Sequence, residues 1–279
     1  MRSSLQMVRI NEEGDVRTIV MCVVLLLAAT GAAAQSTVIP LKGPCADVVA
    51  LQKAFDRDEA RLADWPNLGR FREANGELPP PAPGQPRVVF LGDSITDNWN
   101  NAGFGGFFPG KGYINRGISG QTTPQMLLRF RADVLAHKPA VVVLLAGTND
   151  IAGNTGPMSM EAIQGNIESM TELAAAHGAR MVLSSVMPVN DVGHSSDGTP
   201  VNRTRQRPPE KIVALNNWMR DYAKRQGLVY LDYAAALSDE KGMLRADLAD
   251  DGLHPNVQGY AIIAPLAERA IQQALGQKR

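Results

Sequence analysis

Short apolar runs alternate with helix-like segments over most of the chain. The apolar runs are rich in aliphatic and β-branched residues and end at glycine or polar turn residues, which is typical of strands buried on both faces. The other segments carry apolar residues three and four positions apart and stop at Gly or before Pro. We predict strands at residues 87–91, 113–115, 141–145, 181–183 and 228–231, and helices at residues 122–136, 161–177, 209–226 and 255–275.

This alternation predicts an α/β protein with a mostly parallel sheet of five strands, covered by helices on both faces. Such sheets bind ligands at the carboxyl ends of their strands. The segment Gly92-Asp93-Ser94 follows the first predicted strand, residues 117–120 follow the second, and residues 147–150 follow the third. The unusual residues therefore collect at the edge of the sheet where a site is expected.

The N-terminal residues have a different pattern. An apolar run at residues 18–29 follows Arg17 and precedes small residues that end at Ala34, which is typical of a secretory signal peptide. The run is too short for the roughly 20 residues that span a bilayer. We expect residues 1–34 to be the signal region and the product to be secreted or periplasmic. A buried N-terminal helix is the alternative.

The residues before this apolar run include Glu12, Glu13 and Asp15, whereas the start of a signal peptide is normally basic. We therefore expect the true translation start to lie near Val16. Cleavage after Ala34 would remove one of the two cysteines, so the mature chain would keep a single cysteine and form no internal disulfide.

Residues 35–85 are expected to form an N-terminal helical extension followed by a linker. Residues 46–69 have helical spacing, whereas the proline-rich stretch at residues 78–83 excludes a helix or a central strand. The main domain is expected to cover residues 86–279. Lys plus Arg equals Asp plus Glu, at 28 each, which argues against nucleic acid or an anionic surface as the main partner.

Three residues have the chemistry of a nucleophile, a base and an orienting carboxylate. Ser94 lies on a predicted strand-to-helix turn, His254 precedes the last predicted helix, and Asp251 lies three residues before His254 across a glycine. A serine nucleophile needs such a base and such an orienting group. Helix capping by Asp93 or Ser94, and a solvated capping turn at Asp250 and Asp251, remain the alternatives.

Serine catalysis also needs donors for the developing oxyanion. The backbone N–H groups of Ser94 and Gly120 and the side-chain amide of Asn149 are the candidates, all in predicted turns after strands. A turn requirement for the glycine and an Asx turn for the asparagine are the alternatives.

In this order, Gly92 to Ile95, Gly117 with Gly120, Gly147 to Asp150, and Asp251 with His254 resemble the four blocks of the SGNH/GDSL hydrolase superfamily. The resemblance spans about residue 86 to the C-terminus and is strongest to the acetylhydrolase branch, which includes the catalytic subunits that cleave platelet-activating factor. It implies a flavodoxin-like three-layer α/β/α sandwich, a Ser94–His254–Asp251 triad, an oxyanion hole at Ser94, Gly120 and Asn149, and no metal or organic cofactor.

The resemblance further implies a serine ester hydrolase that removes short acyl groups, with an O-acetylated glycan as the expected substrate. A lysophospholipase or thioesterase of the same fold, and a non-catalytic binding protein that kept the fold, are the alternatives. No nucleic-acid partner and no stable membrane insertion are expected. Separately, the polar loop at residues 189–208 is expected to leave the sheet beside Ser94, and we predict that its arginines contact the substrate.

Overall fold

The computed structural model describes residues 46–195 and 198–277. The expected signal region and both cysteines lie outside these residues. Residues 1–50 and 51–279 are two separate units, and the description below concerns the second. Its strands are β1 (Val88–Gly92), β2 (Ile114–Gly117), β3 (Val141–Leu145), β4 (Arg180–Ser184) and β5 (Val229–Leu231).

The described part of the chain contains ten α-helices, of which the first begins in the other unit. They are α1 (Ala46–Ala63), α2 (Arg72–Glu77), α3 (Ser94–Asn98), α4 (Thr123–Asp133), α5 (Thr148–Ile151), α6 (Met160–Ala176), α7 (Arg203–Gln206), α8 (Pro209–Gln226), α9 (Tyr233–Leu237) and α10 (Val257–Gly276). Among the described residues, no helix is both long and apolar enough to cross a membrane.

The strands form one sheet in the order β2-β1-β3-β4-β5, and every neighbouring pair is parallel. The prediction of a mostly parallel five-stranded sheet is confirmed. Gly92 at the end of β1 pairs with Gly117 on one side and with Leu145 on the other. The turns after β1, β2 and β3 therefore leave the sheet side by side.

Alternate residues of the strands contribute side chains to two apolar cores, one on each face of the sheet. Val89 and Leu91 of β1 belong to the core under α4, α6 and α8. Val88 and Phe90 belong to the core under α10, which also contains a cluster of aromatic rings around Trp99. Both faces of the central strands are buried, which explains why their sequences are continuously apolar rather than alternating.

The last helix begins at Val257, two residues later than the sequence pattern predicts. Pro255 forms an isolated bridge with Ala249, and the Asn256 side chain accepts hydrogen bonds from Gln258 N and Gly259 N at 3.1 Å each. Asn256 is therefore the helix cap. The segment that carries His254 is closed into a loop by the bridge instead of being the first turn of the helix.

Arg129 of α4 is fully buried beneath the carboxyl ends of the strands. Its guanidinium donates to the carbonyl oxygens of Gly92 and Arg116, at 3.1 and 2.8 Å, and pairs with Asp133 at 3.1 Å. Burial lowers the pKa of Arg129 to about 10, so the group remains a cation at neutral pH. It joins the ends of β1 and β2 to α4.

Replacing this cation should destabilise the whole domain. We predict that Arg129→Met lowers the free energy of unfolding by about 3–5 kcal/mol, because Asp133 would be left buried without its cation. Urea unfolding measures the change. The control is Arg131→Met, since Arg131 is an exposed arginine on the same helix. Equal losses in the two variants would contradict a structural role for the buried guanidinium.

Candidate active site

Ser94 is the first residue of α3, directly after β1, and it is half-buried at the carboxyl edge of the sheet. The turn into α3 is tight. A Cβ at Gly92 would lie 2.1 Å from Thr96 Oγ1, and a Cβ at Gly117 would lie 2.2 Å from Asp97 N. The two glycines therefore allow α3 to lie against the ends of β1 and β2, which places the Ser94 hydroxyl above the sheet.

Asp93 caps α3. Helix capping by Asp93 or Ser94 is one of the alternatives that the sequence leaves open for this turn. Asp93 Oδ1 accepts a hydrogen bond from Ile95 N at 3.0 Å, whereas its buried Oδ2 has no protein partner among the described residues. Burial raises the pKa of Asp93 to about 6. The cap is thus supplied by the Asp93 side chain, and the Ser94 hydroxyl is directed elsewhere.

The Ser94 hydroxyl lies within hydrogen-bonding distance of His254. The distance from Ser94 Oγ to His254 Nε2 is 2.9 Å, and His254 Nδ1 lies 2.7 Å from Asp251 Oδ2. These are the separations expected of a nucleophile, a base and an orienting carboxylate. The structure therefore brings together the three side chains that the sequence predicts as a triad, from segments 160 residues apart.

The Asp251 carboxylate also shapes the turn that carries the histidine. Its Oδ1 accepts from Leu253 N at 3.0 Å and from His254 N at 2.8 Å. Burial alone would raise the pKa of Asp251, but the hydrogen bonds from the side chain and backbone of His254 hold this pKa well below its usual range. The group is therefore an anion whenever the imidazole is in place.

Asp250 points to a different partner, because its Oδ1 lies 3.3 Å from the side-chain nitrogen of Asn256. We predict that Asp251→Asn lowers kcat by roughly 10⁴-fold, since an amide favours the wrong imidazole tautomer. Asp250→Asn is the matched control and should change kcat by less than about threefold. The measurement is hydrolysis of p-nitrophenyl acetate, and similar losses in both variants would refute the assignment of Asp251.

The two further oxyanion candidates lie in neighbouring turns. Gly120 has a φ of 80° in the exposed loop after β2, and Asn149 lies in α5, directly after β3. Asn149 Nδ2 donates to the carbonyl oxygen of Gln121 at 3.1 Å, and Asn154 Nδ2 donates to that of Gly120 at 3.1 Å. Hydrogen bonds therefore tie the Gly120 loop to the α5 region.

Asp150, the next residue of the same motif, holds the start of α4. Its carboxylate accepts from Thr123 N at 2.9 Å and from the Thr123 hydroxyl at 2.5 Å. Burial raises the pKa of Asp150, while the hydrogen bonds from Thr123 act in the opposite direction. The motif Gly147 to Asp150 thus supplies one candidate donor and one structural carboxylate.

The loop at residues 189–208 contains α7 and a bridge between His194 and Pro200. Two of its arginines, Arg203 and Arg207, donate hydrogen bonds to residues of the candidate site. Arg203 donates to Asp251, with Nε 3.0 Å from its carbonyl oxygen and Nη2 3.1 Å from Oδ2. The Arg203 guanidinium is thus engaged by the proposed triad carboxylate, and its contact with a substrate stays a prediction.

Arg207 also contacts the candidate site. It is buried, with Nε 3.1 Å from Thr148 Oγ1 and Nη2 3.2 Å from Asn149 Oδ1. A guanidinium has only donors, so it fixes the oxygen of the Asn149 amide toward itself and turns the NH2 group away. The sequence shows that this loop is polar. It does not show that Arg203 and Arg207 donate hydrogen bonds to Asp251 and Asn149.

We predict that Arg207→Ala lowers kcat on the order of 10–100-fold, because a misplaced Asn149 amide would no longer meet the oxyanion. Arg207→Lys should recover part of this loss. Arg205→Ala is the matched control, since Arg205 is exposed on the same turn, and it should retain the wild-type rate. Steady-state kinetics with p-nitrophenyl acetate, beside thermal melts, measure both effects. A rise in KM alone would indicate substrate contact instead.

In the described residues, no group of three or more His, Cys, Asp or Glu side chains is placed to hold a metal ion. The candidate site is composed of a serine, a histidine and a carboxylate, with amide donors and two arginines around them.

Residues 90–262 match the GDSL-like lipase/acylhydrolase family. A GDSL-like lipase from Bacteroides thetaiotaomicron has a similar structure, with a TM-score of 0.67 and 38% identity, covering 75% of this chain and 98% of that one. An acetylxylan esterase from Geobacillus stearothermophilus is 25% identical over 204 residues, which is 64% of this chain and 90% of the relative. A Bacillus subtilis protein named as an uncharacterized lipoprotein is 35% identical over 79 residues, 27% of this chain and 32% of its own length.

The family match covers more than half of the chain. The chain therefore belongs to the GDSL-like lipase/acylhydrolase family, and by class it is a carboxylic ester hydrolase. This agrees with the resemblance found in the sequence. The chain spans about a third of the length of the Bacillus lipoprotein, so that match extends to one segment only.

Proposed function

We propose that this protein removes short acyl groups, chiefly acetyl, from a carbohydrate ester through a covalent intermediate on Ser94. The observation that carries the proposal is the continuous chain of contacts from Ser94 Oγ through His254 to Asp251, at 2.9 and 2.7 Å. A serine hydroxyl needs an adjacent base to become a nucleophile, and the base needs an oriented tautomer.

In the first half of the reaction, His254 Nε2 takes the proton of Ser94 as Oγ attacks the ester carbonyl. The negative charge that develops on the carbonyl oxygen is stabilised by the N–H groups of Ser94 and Gly120 and by the Asn149 amide. The imidazolium then returns the proton to the departing alcohol, and the acyl group remains on Ser94. In the second half, His254 activates a water that releases the acid and restores the hydroxyl.

Two observations favour a short acyl group on a sugar. Two relatives carry the name acetylxylan esterase, one from Geobacillus stearothermophilus that matches 64% of this chain and one from Xylanibacter ruminicola that matches 70%. Ser94 and Gly120 lie at the carboxyl edge of the sheet, and the cleft that includes Gly120 is lined by Trp65, Ile118 and several polar side chains. A lysophospholipase would instead need an apolar channel for its acyl chain.

We further propose that the protein is exported. The apolar run at residues 18–29 and the lipoprotein relative support this assignment. An exported enzyme would meet glycan esters outside the cytoplasm, which is consistent with the proposed substrate.

The decisive experiment is a panel of p-nitrophenyl esters from acetate to palmitate beside acetylated xylan. We expect rates to fall steeply as the acyl chain lengthens, and acetate to be released from the xylan. Ser94→Ala should lower kcat by several orders of magnitude without changing the thermal melt.

Labelling by a serine-directed fluorophosphonate should occur in the wild type and disappear in Ser94→Ala. Preference for palmitate would favour a lysophospholipase or thioesterase. A folded wild-type protein that neither turns over any ester nor reacts with the probe would instead be a binding protein.

A further inference from the structure

A cleft of about 610 Å³ adjoins the Gly120 loop. One side is formed by the Gly120 loop itself, including Ser119 and Gly120. The other side is formed by the turn after α1, which includes Asp64, Trp65 and Asn67 and is called here the Trp65 turn. This turn lies outside the residues that match the family, 90–262.

The backbone of the Trp65 turn is held by two glutamine side chains of the catalytic domain. Gln121 Nε2 donates to the Pro66 carbonyl oxygen and Gln125 Nε2 donates to that of Trp65, each at 2.7 Å. Both glutamines are themselves fixed, because Gln121 Oε1 accepts from Arg129 at 2.5 Å and Gln125 Oε1 accepts from Thr122 N at 3.1 Å. The turn is thus anchored beside the candidate oxyanion loop.

The conformation of the turn is also fixed from within. The two carboxylate oxygens of Asp64 accept from Leu68 N and Gly69 N at 2.7 Å each, and Asn67 adopts a left-handed φ of 56°. Despite this rigid backbone, the Trp65 side chain is 38% exposed. An exposed indole on an ordered turn at a cleft offers a flat apolar surface and one N–H donor.

The composition of the cleft selects the class of ligand. Trp65 and Ile118 are its large apolar residues, and the rest of the lining is polar or glycine. Arg57 and Asp64 contribute one charge of each sign, so neither a phosphate nor a cationic headgroup is favoured. A polyhydroxylated neutral molecule with one apolar ring face matches an indole surrounded by amides.

We propose that this cleft binds the carbohydrate that carries the acyl group, with a sugar ring against Trp65. The proposal rests on the proposed esterase function for the location of the scissile bond. Gly120 belongs both to the cleft lining and to the candidate oxyanion hole. A sugar in the cleft would therefore adjoin an ester carbonyl at Ser94, and the Trp65 turn would set the specificity for the alcohol side of the ester.

The first test uses binding and does not depend on turnover. Acetylated xylo-oligosaccharide is titrated by calorimetry into Ser94→Ala and into Ser94→Ala with Trp65→Ala. We expect Kd to rise about tenfold when the indole is removed. Trp65→Phe should restore part of the affinity, and Phe55→Ala is the control because Phe55 is 64% exposed on α1 outside the cleft lining.

The second test measures turnover in proteins with an intact Ser94. Trp65→Ala should raise KM for the oligosaccharide about tenfold while kcat changes little, whereas Phe55→Ala should leave KM unchanged. A loss confined to kcat, or unchanged binding in the calorimeter, would overturn the sugar subsite. Failure of the wild type to hydrolyse p-nitrophenyl acetate, with the calorimetric difference still present, would overturn the esterase proposal and leave the binding site standing.

Discussion

The buried guanidinium of Arg129 is the constraint on which the rest of the site depends. It accepts no hydrogen bonds and can only donate, so it gathers acceptors that belong to different elements: the carbonyl oxygens at the ends of β1 and β2 and the side chain of Gln121. The first two fix the strand ends from which Ser94 and the Gly120 loop emerge. The third fixes the side chain that holds the Trp65 turn. One cation under the sheet thus supports both the candidate site and the turn beside it.

Much of the architecture could be predicted because its causes are local. A strand covered on both faces must be apolar throughout, and Val141–Leu145 has this composition in the sequence itself. The location of the candidate site follows from the same pattern, since parallel strands carry their following turns to one edge. The sequence alone therefore places Ser94 and His254 at the same edge of the sheet. Their catalytic roles are predictions. The family match adds the class of chemistry but not the substrate.

The remaining features depend on contacts between distant segments, which leave no local signal. An arginine in a polar loop has the same pattern whether it is solvated or buried, so the contacts of Arg207 with α5 could not be foreseen. The same applies to the Trp65 turn, whose attachment depends on two glutamines that lie 55 and 60 residues further along the chain. The start of α10 was predicted two residues early because Pro255 suits a first helical turn, whereas Asn256 supplies the actual cap.

The separation of Ser94 from His254 along the chain has a consequence for biosynthesis. The two residues are 160 positions apart, and contacts of high sequence separation carry a large loop-closure entropy that slows folding. A nascent chain that has exposed β1 carries a serine hydroxyl with no base beside it. Under the proposed mechanism, Ser94 acquires its base only when the C-terminal segment has docked, so a partly synthesised chain would lack the activated serine. The order of residues along the polypeptide would thus delay the proposed chemistry until the domain is complete.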